Sequence, residues 1–126
     1  MSLREIEMEK VNVREKFGLF NEVYVPKIVG DLNGQYVKVI KFHGPYVWHD
    51  HELEDELFFV IKGSINIEFR DSTITLNEGE FLIVPKGVEH RPVAYDEAWV
   101  LIFEPEATIN TGKVEHYYTR TELDRI

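Results

Sequence analysis

Two short stretches of the chain concentrate side chains that can ligate a metal. Gly44–Gly63, GPYVWHDHELEDELFFVIKG, places His49 and His51 two residues apart and Glu56 five residues after the second. Gly79–His90, GEFLIVPKGVEH, adds His90 behind a Pro-x-Gly turn. On an extended strand, residues i and i+2 point to one face, so the imidazoles of His49 and His51 project together and supply half of a metal shell. Glu56 opens the next strand after a short acidic connection and can lean an oxygen into the same space. His90 can close the shell from another side. Three imidazoles and a carboxylate make a mixed nitrogen and oxygen centre. It suits Fe(II), Mn(II), Ni(II), Co(II) or Zn(II) rather than Ca(II) or Cu(I). On an ion that prefers six ligands, four protein groups leave two positions for water, dioxygen or a chelating small molecule. Tetrahedral zinc leaves fewer.

The elements that must carry these groups read as short strands. Before them, Asn12 can cap a helix over residues 12–20, with Glu15 three residues on and Val13, Phe17 and Phe20 on one face. From about residue 24 the apolar period becomes two. Lys27–Leu32 and Gln35–Phe42 flank Asn33-Gly34, a dipeptide suited to a type I′ hairpin turn. Gly44-Pro45 predicts a break. Strands are then expected at Tyr46–His51, Glu56–Lys62, Ser64–Arg70, Thr73–Leu76, Phe81–Val84, Glu89–Ala94 and Trp99–Phe103. Residues 105–126 form a polar, turn-rich tail in which Thr119 and Glu122 are spaced to cap a last helical turn. Many short strands joined by Gly, Pro and Asn turns predict an all-β barrel or sandwich. Leu57–Ile61 is apolar on both parities, as expected of a strand covered on both faces or one whose outer face meets a second subunit.

Gly44–Gly63 resembles the first cupin motif, Gly-x(5)-His-x-His-x(3,4)-Glu-x(6)-Gly, and Gly79–Ala94 resembles the second, Gly-x(5)-Pro-x-Gly-x(2)-His-x(3)-Asn. The chain is similar to small, one-domain cupins of the conserved-barrel type, a group often compared with mannose-6-phosphate isomerase. The resemblance implies a double-stranded β-helix, the cupin jelly-roll barrel, with short terminal helices and a barrel core over about 24–104. It also implies His49, His51, Glu56 and His90 as the metal ligands. Two departures stand out: Gly44 and His49 are separated by four residues rather than five, and the closing Asn of the second motif is Ala94. The first alters a loop length; the second removes a polar group that is not a ligand.

An interior site needs a wall. Parity sets Val47 beside His49, and Phe58 and Val60 beside Glu56, with Ile65, Ile67 and Phe69 as neighbours, so the expected lining is apolar. The same parity sends Tyr46, Trp48 and Arg91 outward. His43 precedes the break and has no readable direction, and His116 is expected at the surface. Glu52, Glu54 and Asp55 form a solvated loop able to hydrogen-bond the imidazoles.

The 126 residues, 44% hydrophobic and 29% charged, suit one globular domain, 1–126. There is no cysteine, which excludes disulfides, zinc–thiolate sites and a cysteine nucleophile and fits a reducing cytoplasm. A net charge of −9 without a basic cluster predicts no nucleic-acid partner. No apolar run approaches a membrane span. No Ser-His-Asp order, phosphate loop or dinucleotide fingerprint occurs. Function is therefore expected to run through the ion, with a small molecule as partner and a homodimer as the assembly. Three classes stay open: metal-dependent oxygenation, isomerisation or epimerisation of a sugar-like compound, and non-enzymatic binding or sensing of a metabolite.

Overall fold

The structure, a computed structural model, describes residues 8–126. It comprises one short helix, α1 (Val13–Phe17), and seven strands: β1 (Lys27–Leu32), β2 (Gln35–Pro45), β3 (Glu56–Lys62), β4 (Ser64–Glu68), β5 (Thr73–Asn77), β6 (Phe81–Val84) and β7 (Arg91–Pro105). All pairings between them are antiparallel. The main path runs β1-β2-β7-β3-β6, with β4 joining both β5 and β7. The fifteen-residue β7 organises the roll. Its first residues pair with β4, and its later ones lie between β2 and β3. This is the jelly-roll arrangement the motifs imply.

Alternation fills the interior. Ile40 and Phe42 on β2, Phe58 and Val60 on β3, Ile65 and Ile67 on β4, and Ala98, Val100 and Ile102 on β7 are all buried in one cluster. Val47 and Phe69 pack against it half-buried. A smaller cluster lies outside the sheet, where Phe17 of α1 and Phe20 cover Val39, and Phe17 stacks on Trp99 with ring centroids 4.9 Å apart. The Asn33-Gly34 turn adopts the two positive φ angles that a type I′ hairpin requires, 52° and 76°.

Five expectations need correction. The helix is shorter than 12–20. Asn12 caps it by accepting a hydrogen bond from Glu15 N at 3.1 Å, but the chain turns off at Gly18 once Phe17 has reached its pocket. Gly44-Pro45 does not break the chain; β2 continues to Pro45 across a bulge between Phe42 and Gly44. Residues 46–55 are not a strand but a loop with a single bridge, His49 to His90. The expected strands at Glu89–Ala94 and Trp99–Phe103 merge into β7. The tail forms no helix among the described residues. It runs in turns and ends with a bridge from Arg125 to Ile28. No described helix is long and apolar enough to cross a membrane.

Candidate metal centre

The loop between β2 and β3 carries two of the histidines, and backbone hydrogen bonds rather than a continuous pleat hold it in place. His49 N donates to His90 O at 3.0 Å, and His90 N returns a bond to His49 O at 2.9 Å. Gly87 N donates to His51 O at 2.8 Å. Gly87 has φ +80°, the left-handed conformation that the Pro85-Lys86-Gly87 turn needs to aim this N–H at the loop. Lys86 N donates to Asp55 Oδ1 at 2.9 Å, which fastens the acidic connection to the same turn.

The four side chains converge. One ligating atom from each of His49, His51, Glu56 and His90 lies within 4.8 Å of all the others, and all four residues are buried. Glu56 Oε1 is 3.4 Å from His51 Nε2 and 3.3 Å from His90 Nε2. An ion with bonds of about 2.1 Å separates its ligand atoms by roughly 3–4 Å, close to this spacing. The tautomers follow from the neighbours. His49 Nδ1 lies 3.0 Å from Val47 O and His90 Nδ1 lies 2.9 Å from Val88 O. A carbonyl only accepts, so each Nδ1 carries the proton and each Nε2 offers its lone pair. Both carbonyls come from two residues upstream, and they, rather than the acidic loop, orient these two rings. Both nitrogens of His51, Glu56 Oε1 and His90 Nε2 have no hydrogen-bond partner. Buried polar atoms are normally paired. Three of these orphans, His51 Nε2, Glu56 Oε1 and His90 Nε2, face one another across the cluster, an arrangement that fits a divalent cation.

The electrostatics agree at His49 and Glu56, while His51 leans toward the charged form beside the Glu56 carboxylate that a bound ion would displace it from. Burial, with the neighbouring His90, lowers the His49 pKa to about 4, which keeps this imidazole neutral. Burial also lowers His51, but contact with Glu56 outweighs it and the net shift is upward, with Glu54 adding and Lys38 opposing. Burial pushes Glu56 up, yet the close imidazoles of His51 and then His90 hold it well below the ordinary carboxylate range. Neutral imidazoles and an ionised carboxylate are the forms that bind metals.

Residues 39–103 match the Cupin domain family. The uncharacterized protein YdbB of Bacillus subtilis strain 168 is 36% identical over 84 residues, 66% of this chain and 68% of that protein.

The chain belongs to the cupin family.

A cupin-2 domain protein of Shewanella frigidimarina, solved by crystallography, superposes with a TM-score of 0.75 at 43% identity, covering 76% of this chain and 94% of that one. The 3-hydroxyanthranilate 3,4-dioxygenase of Xenopus laevis is 25% identical over 101 residues, which is 75% of this cupin but only 36% of the dioxygenase.

An internal cavity of about 20 Å³ lies against His49 and Glu56. Of the six expected wall residues only Phe58 lines it. Val60, Ile65 and Ile67 are packed core, and Val47 and Phe69 border that core. Tyr46, expected outside, is part of the wall. It is buried, and its ring meets that of His49 edge-on at 5.5 Å. Strand parity fails here because the chain has left the sheet at Pro45. Trp48 does face outward, under the guanidinium of Arg70 at 3.9 Å, and Arg91 pairs outside with Glu68. His43 and His116 are exposed.

Three further polar residues matter that sequence reasoning missed. Glu104 and Asn110 line the cavity, and Lys38 Nζ reaches Glu104 Oε1 at 2.7 Å. Burial, then the charge of Glu56, pushes the Glu104 carboxyl well above its ordinary value. Lys38 was detectable, being on the parity of Ile40 and Phe42. Glu104 shares the parity of Ile102 but lies one residue past the expected strand end. Asn110 belongs to the tail, where no periodicity exists.

Proposed function

We propose that His49, His51, Glu56 and His90 hold a divalent transition ion, and that this cupin uses it to oxygenate a small, largely apolar molecule. The observation that carries the reading is the convergence of four ligand atoms, three of them unpartnered, beside an aromatic wall. Tyr24, Phe42, Tyr46, Phe58 and Ile102 supply that wall, and no lysine or arginine lines it among the described residues. Such an apolar wall opposes a phosphate, so a sugar phosphate is disfavoured; at about 20 Å³ the space holds one water-sized group, and a ring or chain would enter only as the tail over it moves. A ferrous ion held by this donor set would supply binding and activation of dioxygen. The protein's own residues hold the neutral imidazoles in place, exclude bulk water and orient the substrate. The similarity to 3-hydroxyanthranilate 3,4-dioxygenases supports the reaction class across the third of their length that matches. Metal content of untagged protein by mass spectrometry comes first. Oxygen uptake by the Fe(II)-loaded protein with 3-hydroxyanthranilate and simple phenols then tests the chemistry. Iron-loaded protein that consumes no oxygen with any of them rejects the oxygenase reading.

A second reading has an observation of its own. Tyr46 Oη and Glu104 Oε2 are buried without partners on residues that line the cavity. They would serve proton transfer in an isomerisation, with the ion as Lewis acid. Turnover without oxygen consumption would select it.

We also propose that the chain works as one domain and as a cytoplasmic homodimer without a nucleic-acid partner. Leu57, Phe59 and Ile61 are half-buried on the outer face of β3. Beside Phe59 and Leu57, Phe81 is 58% exposed and Ile83 52%. A second copy on that face would remove this apolar patch from water.

A further inference from the structure

Three charged side chains lie in a row on the inner face of the sheet, where apolar ones are the rule. β3 and β7 pair Leu57 with Phe103 and Phe58 with Ile102. One more step of that register sets Glu56 opposite Glu104. β2 and β7 pair Lys38 with Ile102 and Tyr36 with Glu104, which places Lys38 diagonally from Glu104. The row therefore reads ammonium, carboxylate, carboxylate: burial and the charge of Glu56 push the Glu104 carboxyl up, but the Lys38 ammonium 2.7 Å away, itself buried and in need of a counter-ion, opposes them and holds it ionised. Lys38 and Glu104 are 1% and 2% exposed at their side chains.

A buried ion pair of this kind adds little to stability, because desolvation cancels most of the attraction, and apolar residues of similar size often do as well. Removing one partner is different: the other is left as an uncompensated buried charge and must find a new counter-ion. Glu56 is the next carboxylate along the row. Without Glu104, the ammonium would draw the Glu56 carboxylate away from the imidazoles and compete with the ion for it.

We propose that Glu104 is a positioning residue: it occupies the ammonium of Lys38 and so leaves the carboxylate of Glu56 free to face His49, His51 and His90. This rests on the metal assignment made under Proposed function. It makes the chain's metal affinity depend on a residue that does not touch the ion, and it makes that dependence conditional on Lys38.

The test is a mutant cycle read by Co(II) affinity, measured in competition with a chelating dye, with melting temperature recorded alongside. E104Q keeps the shape and removes the charge, and its affinity is expected to fall about 10–100-fold. The double variant K38M/E104L removes the competitor together with its counter-ion, and is expected to bind Co(II) within about threefold of wild type. A structural pair would move the melting temperature alone and would not show rescue. Unchanged affinity in E104Q overturns the proposal. So does a double variant that binds more than about tenfold weaker than wild type. The double variant leaves no buried charge unpaired, so it decides the matter should E104Q fail to fold. Wild-type protein that takes up no Co(II) defeats the metal assignment itself, an outcome separate from either of these.

Discussion

Two parts of the interior obey opposite rules, although β3 and β7 run through both. Around Val60, Ile65, Ile67, Leu76, Ala98 and Val100 every side chain is apolar and buried. Around His49, His51, Glu56, His90 and Glu104, at the other ends of the same two strands, buried side chains are polar and several of their atoms are unpaired. The first region holds itself together: each square ångström of apolar surface removed from water contributes about 25 cal/mol. The second works against the fold, since each buried polar atom without a partner costs about 1–3 kcal/mol. A chain keeps such a region only where something else completes it. The contrast separates the residues that maintain the barrel from those that use it.

The largest effect expected is on ion binding. His49→Ala should weaken metal affinity by on the order of a hundredfold or more, beyond the 10–100-fold typical of outer-shell losses. The metal-free melting temperature should barely change, because the variant deletes a buried polar group rather than a packed one. Metal analysis by mass spectrometry and calorimetry check both halves. Full metal content in this variant and in His51→Ala would break the comparison outright. Next comes the reverse experiment. Ile67→Ala, at a side chain with no exposure, should cost about 2–5 kcal/mol in urea unfolding and leave one ion per chain.

What was legible in the chain follows the same division. Alternation exposed the packed strands, because Ile65 and Ile67 or Val100 and Ile102 each report a face on their own. The four convergent groups were legible for another reason: their residue types are rare in strands, and the glycines and proline around them mark the turns that aim them. The wall was not legible. It is assembled from Tyr46 in a loop, Glu104 past an expected strand end, and Asn110 in an aperiodic tail, and these come together only through long-range pairing. Parity placed Tyr46 on the wrong side because the pleat it assumes stops at Pro45.

The pH dependence sharpens the electrostatic half of the comparison. His49 titrates near 6.5 in an unfolded chain and at about 4 in the fold. Its folded pKa is depressed, so the unfolded state binds more protons between these values. The stability it contributes is complete above 6.5 and lost as pH falls toward 4. That depression corresponds to about 3 kcal/mol. His51 has the opposite sign: its folded pKa is raised, so its contribution is present below 6.5 and fades as pH rises through the folded value. Urea midpoints of metal-free protein across pH 4–7, with an NMR titration of the imidazoles, separate the two. A His49 ring that protonates near 6.5 would mean it is not held in a dry site.

The smallest effect concerns what closes the polar region. The tail folds over it: Asn110 reaches the cavity, and Tyr118 stacks on Tyr46 with centroids 5.6 Å apart and planes 24° off parallel. Asn110 Nδ2 donates to Tyr118 O at 2.8 Å, and Arg120 N donates to Asn110 Oδ1 at 2.9 Å, so the tail holds its own shape. Gly112 presses against the backbone of Asp50, beside His51. It has φ +60°, and a Cβ there would overlap Asp50 O. Gly112→Ala therefore cannot be absorbed by a side-chain movement; the tail has to lift from the loop that carries His49 and His51. The expected cost is about 1–3 kcal/mol, the range for one strained backbone position. A more telling outcome is kinetic. With the tail lifted, the ion should pass to excess chelator several-fold faster in stopped-flow measurements, while all four ligands are retained and the metal content before chelation stays at one ion per chain. A release rate equal to wild type, in a variant whose melting temperature has fallen, would place the route to the ion elsewhere than beneath this tail.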